Sequence, residues 1–336
     1  MATVGSSYMT LADVAKRTDA NGTTADIIEM LAEFNPILDD APAVECNNGT
    51  KHLTTVRTGL PTATWRRLYE GVQTSKSHTR QVEDATGSLV ARSIIDSKLI
   101  DLSSDPQQLR LSESAPFLET MAQEIADTVI YGNSGSEPAA FTGFAPRFND
   151  LSAENGNQIV DAGGTGADNT SIWMITWGDT TAHLIYPKGS RAGVQRTDLG
   201  VQTVIDPNNS GRYEVYEEKF EQDIGLSVRD WRYISRVANI DVSALTADAS
   251  AGADLNDFMI RAYYRLRNRR IGSGNAGRLA MYCNTKVKEF LHRQALNANA
   301  NTFVRLSEVQ GREVMTFMGV PIREIDAITN SEARVV

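Results

Sequence analysis

The chain has 336 residues, 41% of them hydrophobic, enough to bury a sizeable core as one large domain or two smaller ones. Its 42 acidic residues against 33 Lys and Arg give a formal charge of -9, which argues against a dedicated nucleic-acid binder. No run approaches membrane-spanning length, and the start, Met1 to Gly5, carries neither a basic leader nor an apolar stretch, so secretion is not expected.

Residues 1–50 read as an arm. Thr10 with Asp13 three positions on is a capping-box pattern, and a second helix follows Thr24, where Ile27, Ile28 and Leu31 share a face. Pro36 and Pro42 then break the chain. Between Asn21 and Thr50 stand six acids (Asp26, Glu29, Glu33, Asp39, Asp40, Glu45) and no Lys or Arg, which taken alone is a solvated helix face.

Residues 51–95 place strand-formers at 52–58, 63–69, 78–82 and 88–95, with large apolar residues sparse before Leu89. A two-stranded ribbon with so little to bury is marginal in water and needs a partner surface. From Lys51 to Asp84 the ribbon carries six basic residues (Lys51, Arg57, Arg66, Arg67, Lys76, Arg80) against three acids, a local excess in an acidic chain. The plain alternative is a solvent-exposed hairpin.

Asp105-Pro106 is a helix start, Asp as N-cap and Pro at the first helical position. The helical spacing continues through Leu109, Leu118, Met121, Ala122, Ile125 and Val129 to Tyr131 and stops at Gly132-Asn133. Such a helix is ~39 Å long, and Pro116 predicts a kink or a split within it. Gly163 to Gly166 is a flexible loop. Beyond it the chain is β-rich at 172–177, 183–186, 213–220 and 224–240. Asp254 caps a helix with Leu255, Phe258, Met259, Ala262, Tyr263 and Leu266 on one face. A strand at 279–283 leads to a helix capped by Thr285, with Val287, Phe290, Leu291 and Ala295 at helical spacing. After a polar loop at 297–301, residues 311–326 form a strand pair turning at Gly319.

The chemical inventory is thin. Cys46 and Cys283 stand in unlike contexts, so neither a disulfide framework nor a metal cluster can be built, and a reducing cytoplasm suits the chain. Gly272-Ser273-Gly274-Asn275-Ala276-Gly277 matches the dinucleotide fingerprint, but a helix precedes it and a strand follows, the reverse of what pyrophosphate binding requires. The histidines His52, His78, His183 and His292 lack ligand spacing, and there is no Gly-x-Ser-x-Gly elbow. No enzyme activity, cofactor or metal is expected. Glu214, Glu217, Glu218 and Glu221 form a charge run, more a wet face than an acid–base pair. Arg261, Arg265 and Arg269 at i, i+4, i+8 suit a subunit contact or the helix C-terminus better than DNA.

The closing unit, with its Gly319-Val320-Pro321-Ile322 step and its ending Asp326-Ala327-Ile328, resembles the axial core of tailed-phage major capsid proteins of the Hong Kong 97-like fold. The ribbon before a long helix, and Glu137 to Pro146 after it, match that family's extended loop, spine helix and outgoing link. Here Trp173 to Asp179 and the strands through Arg229 to Arg232 precede the closing unit, so two blocks have traded sequence places, as in some short-tailed phages. The resemblance implies an α+β protein: an arm at 1–50, an extended loop at 51–95, a peripheral domain of 96–150 and 211–242 with the spine helix at 106–131, and an axial domain of 151–210 and 243–336. It implies self-assembly into hexamers and pentamers of an icosahedral head around double-stranded DNA, without sequence-specific binding. Portal and scaffolding or cement proteins would be partners, and the product would be a virion component assembled in the host cytoplasm. A long N-terminal scaffolding extension is not expected, since the ribbon begins by residue 51. Expected inter-subunit contacts are Arg57, Trp65, Arg66, Arg67, Lys76 and Arg80, meeting an acidic neighbour such as the 21–50 arm or the strand bearing Glu217 and Glu218. Lys76 is a formal candidate for a covalent cross-link, with no partner Asn evident. The rival readings are an encapsulin-like compartment, a nucleotide-dependent enzyme using 272–277, and a tail component.

Overall fold

A computed structural model describes residues 9, 33, 35–103, 105–206, 210–246, 252–267, 277–297, 304–309 and 312–336. The helices expected after Thr10 and Thr24, the 298–301 loop and positions 272–276 lie outside the described residues. The chain forms two compact units, one of 35–87, 127–190 and 224–336, the other built from 88–126 and 191–223 with Met9 and Glu33.

The larger unit is organised around β5 (Asn169–Trp177), in which every residue is buried. Its apolar run makes sense because both faces are covered. Ile172 and Met174 join a core with Met259 of α4 (Leu255–Arg265) and Val287 and Leu291 of α5 (Thr285–Asn297). On the opposite face Trp173 and Trp177 meet Phe144 and Phe148 at ring separations of 5.7 to 5.9 Å, within the range of favourable aromatic pairs. β5 pairs antiparallel with β9 (Ile234–Asp241) and β10 (Arg278–Cys283). β10 takes β13 (Val320–Glu324) in parallel, and β12 (Arg312–Phe317) and β11 (Val304–Val309) continue the order. Met318 and Gly319, both at positive φ, make the tight turn between β12 and β13. The expected cap at Thr285 shifts by one residue: Asn284 Oδ1 accepts the Lys286 N–H at 3.1 Å, and Thr285 donates to Glu324 instead.

Two buried polar networks fix the ends of this unit. Asp40, closing α1 (Ile37–Asp40), accepts from the Tyr282 hydroxyl at 2.7 Å and pairs with Arg323 at 3.0 Å and Arg278 at 3.1 Å. Burial, then the Asp40 charge, hold the Tyr282 hydroxyl well above its ordinary pKa. Near the C-terminus, the buried Arg236 donates to Glu332 at 2.8 Å, Ser171 at 2.9 Å and the Phe148 carbonyl at 2.7 Å, and stacks over Trp173. Tyr131 donates to the second Glu332 oxygen at 2.7 Å. Such charges are tolerable inside only because each is paired and bonded.

In the smaller unit, β3 (His78–Asp96) leads through α2 (Ser97–Leu102) to α3 (Pro106–Tyr131), and Asp105 caps α3 by accepting the Gln108 N–H at 3.1 Å. α3 is unbroken: Pro116 does not split it, since one missing N–H removes a single rung of a ladder held by packing on both sides. Leu109, Met121 and Ile125 face inward, and Phe117 stacks on Phe220 of β8 (Arg212–Val228). β7 (Gln195–Ile205), absent from the sequence expectation, pairs antiparallel with β8. Residues 191–205 share this unit with β8, and β9 lies with β5 in the larger one.

Glu218 holds the smaller unit together. Its carboxylate, almost fully buried, accepts from Arg110 at 2.6 Å, from Arg196 at 2.8 and 3.0 Å and from Ser114 at 2.9 Å. Burial alone would raise this carboxyl's pKa. The bonds from Arg196 and Ser114 and the charges of Arg196 and Arg110 outweigh it and hold the group below its usual range. The stabilisation is therefore present above the ordinary carboxyl pKa and lost as pH falls through the depressed value. Glu218→Gln, which takes the carboxylate from Arg196 and leaves Arg110 only its pair with Asp198, is expected to cost about 3 kcal/mol, read as a lower urea midpoint at pH 7. The deficit should shrink in acid, where the wild-type carboxylate is itself protonated.

Candidate functional site

The ribbon expected at 51–95 is present and belongs, up to residue 87, to the larger unit. β2 (Lys51–Gly59) pairs antiparallel with β3 from Lys51↔Ala85 to Gly59↔His78. Its root is anchored. Asp84 is buried, ion-paired with Arg147 at 2.8 Å, and accepts the Val228 N–H at 3.3 Å. Asn47 brackets Leu53 with two hydrogen bonds of 2.8 Å. His52 and His183, both buried, meet edge to face at 5.3 Å.

Beyond Gly59 the pairing stops. The strand expected over 63–69 is not formed: the segment has no partner strand among the described residues, and a lone extended chain cannot satisfy its own backbone. Every residue from 60 to 76 is exposed. The segment keeps a local shape through Thr62 and Ser75, which exchange bonds of 3.0 and 3.1 Å, and through Arg66, whose Nε donates to the Glu70 carbonyl at 2.9 Å. Tyr69 sits at φ 69°, a left-handed turn position unusual for an aromatic residue. None of this covers the large side chains. Trp65 and Tyr69 are 103% and 101% exposed, as open as in an unfolded chain, and Leu60, Leu68 and Val72 stand out with them.

Arg57, Trp65, Arg66, Arg67, Lys76 and Arg80 are thus all exposed on one projecting element. Of the six basic residues from Lys51 to Arg80, only Lys51 has an ion-pair partner, Glu83, among the described residues. Glu217 and Glu218 lie elsewhere. They are buried in the smaller unit, Glu217 against Arg92 at 2.8 Å and Glu218 in the arginine cluster, so neither is the wet face their spacing suggested. Their partners come from distant elements, which strand periodicity does not reveal.

Among the described residues, the candidate chemical groups stand apart from one another. Cys46 and Cys283 are buried and unpaired, and burial pushes the Cys283 thiol up to about 12, far from a reactive thiolate. The described residues contain no group of three metal-ligating side chains, and no helix among them is long and apolar enough to cross a membrane. Around the glycine motif, α4 precedes and β10 follows, the wrong order for a phosphate cradle. Of the helical arginines, Arg261 pairs with Asp257 and Arg265 donates to the Ile159 carbonyl. The contact between His52 and His183 was invisible in sequence, since the two sit on strands far apart in the chain.

A family model described as Major capsid protein GP7 matches residues 19–336. The chain is similar to one in the structure of bacteriophage Epsilon15, with 40% identity over 100% of this chain and 99% of that one, at a TM-score of 0.79. Weaker likenesses are to the capsid of a native GTA particle (12% identity, 64% and 93% coverage, TM-score 0.45) and to an encapsulin complex from Synechococcus elongatus (11%, 69% and 96%, 0.44). No curated protein matches this chain.

The ribbon root makes one pH-dependent contribution that can be measured. Burial, reinforced by the neighbouring His52, pushes His183 down to about 4, and burial also lowers His52. A histidine kept neutral by the fold is protonated first in the unfolded chain, so stability falls as pH drops from the ordinary imidazole value, about 6.5, toward 4. Melting temperature should decline over that window, and His183→Phe should flatten the decline; parallel profiles for the two proteins would contradict the assignment.

Proposed function

The chain belongs to the major capsid protein GP7 family, with the Hong Kong 97-like fold of tailed-phage heads, and from that premise we propose that it builds its shell by docking the ribbon of each copy across the next. The protein is a structural component of a phage virion. Its copies form hexamers and pentamers, and these close into an icosahedral head that holds double-stranded DNA by containment rather than by affinity. Portal and scaffolding or cement proteins join the same shell, which assembles in the bacterial cytoplasm. The chain performs no catalysis. The ribbon and α3 serve as extended loop and spine helix, the unit around α3 and β8 as the peripheral domain, and the unit around β5 and β10 as the axial domain.

One observation carries this reading: residues 60–76 present Leu60, Trp65, Leu68, Tyr69 and Val72 to water on an anchored, basic projection. Apolar area gains ~25 cal/mol per Å² on burial, and permanent interfaces run above ~2,000 Å². A second copy supplies both that area and, through the chain's excess of acids, the countercharge. Arg66, Arg67 and Lys76 take the ionic contacts at the ribbon tip and Trp65 the apolar one, while Arg57 and Arg80 meet the neighbour from the paired part of the ribbon.

Arg66→Glu with Arg67→Glu tests it. Both residues are exposed, so the monomer should keep its melting temperature, while shells vanish from sedimentation profiles and micrographs. Normal particles from the double variant would refute the docking.

A further inference from the structure

A second basic surface lies at the ribbon root, wholly within the larger unit. It is a cleft of about 490 Å³ whose walls include Arg57 and Arg80 of the ribbon, Arg147, and the Arg229 to Arg232 turn with Trp231. Five arginines line it against two acids, Glu154 and Asp230, in a chain whose net charge is -9. Two of the five are already matched: Arg147 pairs with Asp84, and Arg232 with Asp230 at 2.7 Å. Arg229 donates only to the Asp179 carbonyl at 2.9 Å, and Arg57 and Arg80 have no ion-pair partner among the described residues. Three guanidinium groups without an ion-pair partner among the described residues therefore line an open cleft, with Glu154 the one acid in its wall not bound to an arginine there. Guanidinium forks are suited to bidentate pairing with oxyanions, carboxylates among them.

We infer that this cleft is a receptor for an acidic segment of a second copy of the chain, a contact distinct from the ribbon tip. It rests on the shell reading above. Charge complementarity selects the occupant: nine more acids than bases must lie on each copy, so every neighbour offers carboxylates. The volume suits a short stretch of extended chain. Because the cleft walls include both ribbon strands, an occupant there would also fix the angle at which the ribbon leaves the body.

Arg57→Lys and Arg80→Lys keep the charge and introduce amines that a carbodiimide can join to a touching carboxylate. Particles assembled from equal amounts of isotope-labelled and unlabelled protein, cross-linked and digested, should yield mixed-isotope peptides joining position 57 or 80 to an Asp or Glu of another copy. In parallel, Arg57→Glu with Arg80→Glu should leave the monomer's melting temperature unchanged and raise the concentration needed for assembly roughly tenfold or more. Particles with links confined to one copy, or with none, overturn the cleft proposal and leave the shell reading standing. Charge-reversed particles that assemble normally but lose their DNA assign the cleft to phosphate and overturn it too. Wild-type protein that never forms particles overturns the shell reading and the cleft with it.

Discussion

Unmet burial on residues 60–76 is the constraint from which the rest of this structure follows. Leaving a large apolar side chain in water forgoes about 1.5–3 kcal/mol relative to burying it. A chain that holds Trp65 and Tyr69 fully open, on a segment too irregular to bury them itself, is incomplete as a monomer. Isolated exposed hydrophobics are ordinary on protein surfaces, but several on one projecting element mark an interaction surface. In the docking we propose, the cationic flank supplies selectivity, because like-charged ribbons repel one another and an acidic neighbour attracts them.

A projecting element can transmit binding energy only if its root is stiff. The root here is held by Asp84 against Arg147 and Val228, by the Asn47 bracket around Leu53, and by the packed His52 and His183 rings. The body behind it is stiffened by charge as much as by packing. Asp40 and Arg236 each satisfy several partners inside the larger unit, and Glu218 does the same in the smaller one. Buried pairs of this kind contribute little net stability compared with well-packed apolar groups, yet removing one partner is costly. They tie segments distant in sequence into one arrangement, as Glu332 does for Ser171, Arg236 and Tyr131.

What the sequence disclosed follows from the range of each interaction. α3 was legible from end to end because its signals are local: the Asp105 cap, apolar residues at helical spacing, and the stop at Gly132. Pro116 was over-read, since the packing of Phe117 and Met121 is not visible in a proline's own neighbourhood. β7 escaped notice because both of its faces are exposed, leaving no alternation to detect. Residues 63–69 carry strand-forming side chains without a strand beside them, so propensity had nothing to act on. Glu217 and Glu218 read as solvated charge because their arginine partners arrive from other elements. The exposure of the basic ribbon was legible, because Arg57, Arg66, Arg67, Lys76 and Arg80 stand on a segment with little to bury.

Amide hydrogen exchange, compared between the isolated chain and the assembled shell, bears most directly on the claim that the monomer is incomplete. Residues 60–76 should exchange at nearly unprotected rates in the free protein, because they lie outside any strand pairing, and become strongly protected in the shell. Equal exchange in the two states would contradict the account.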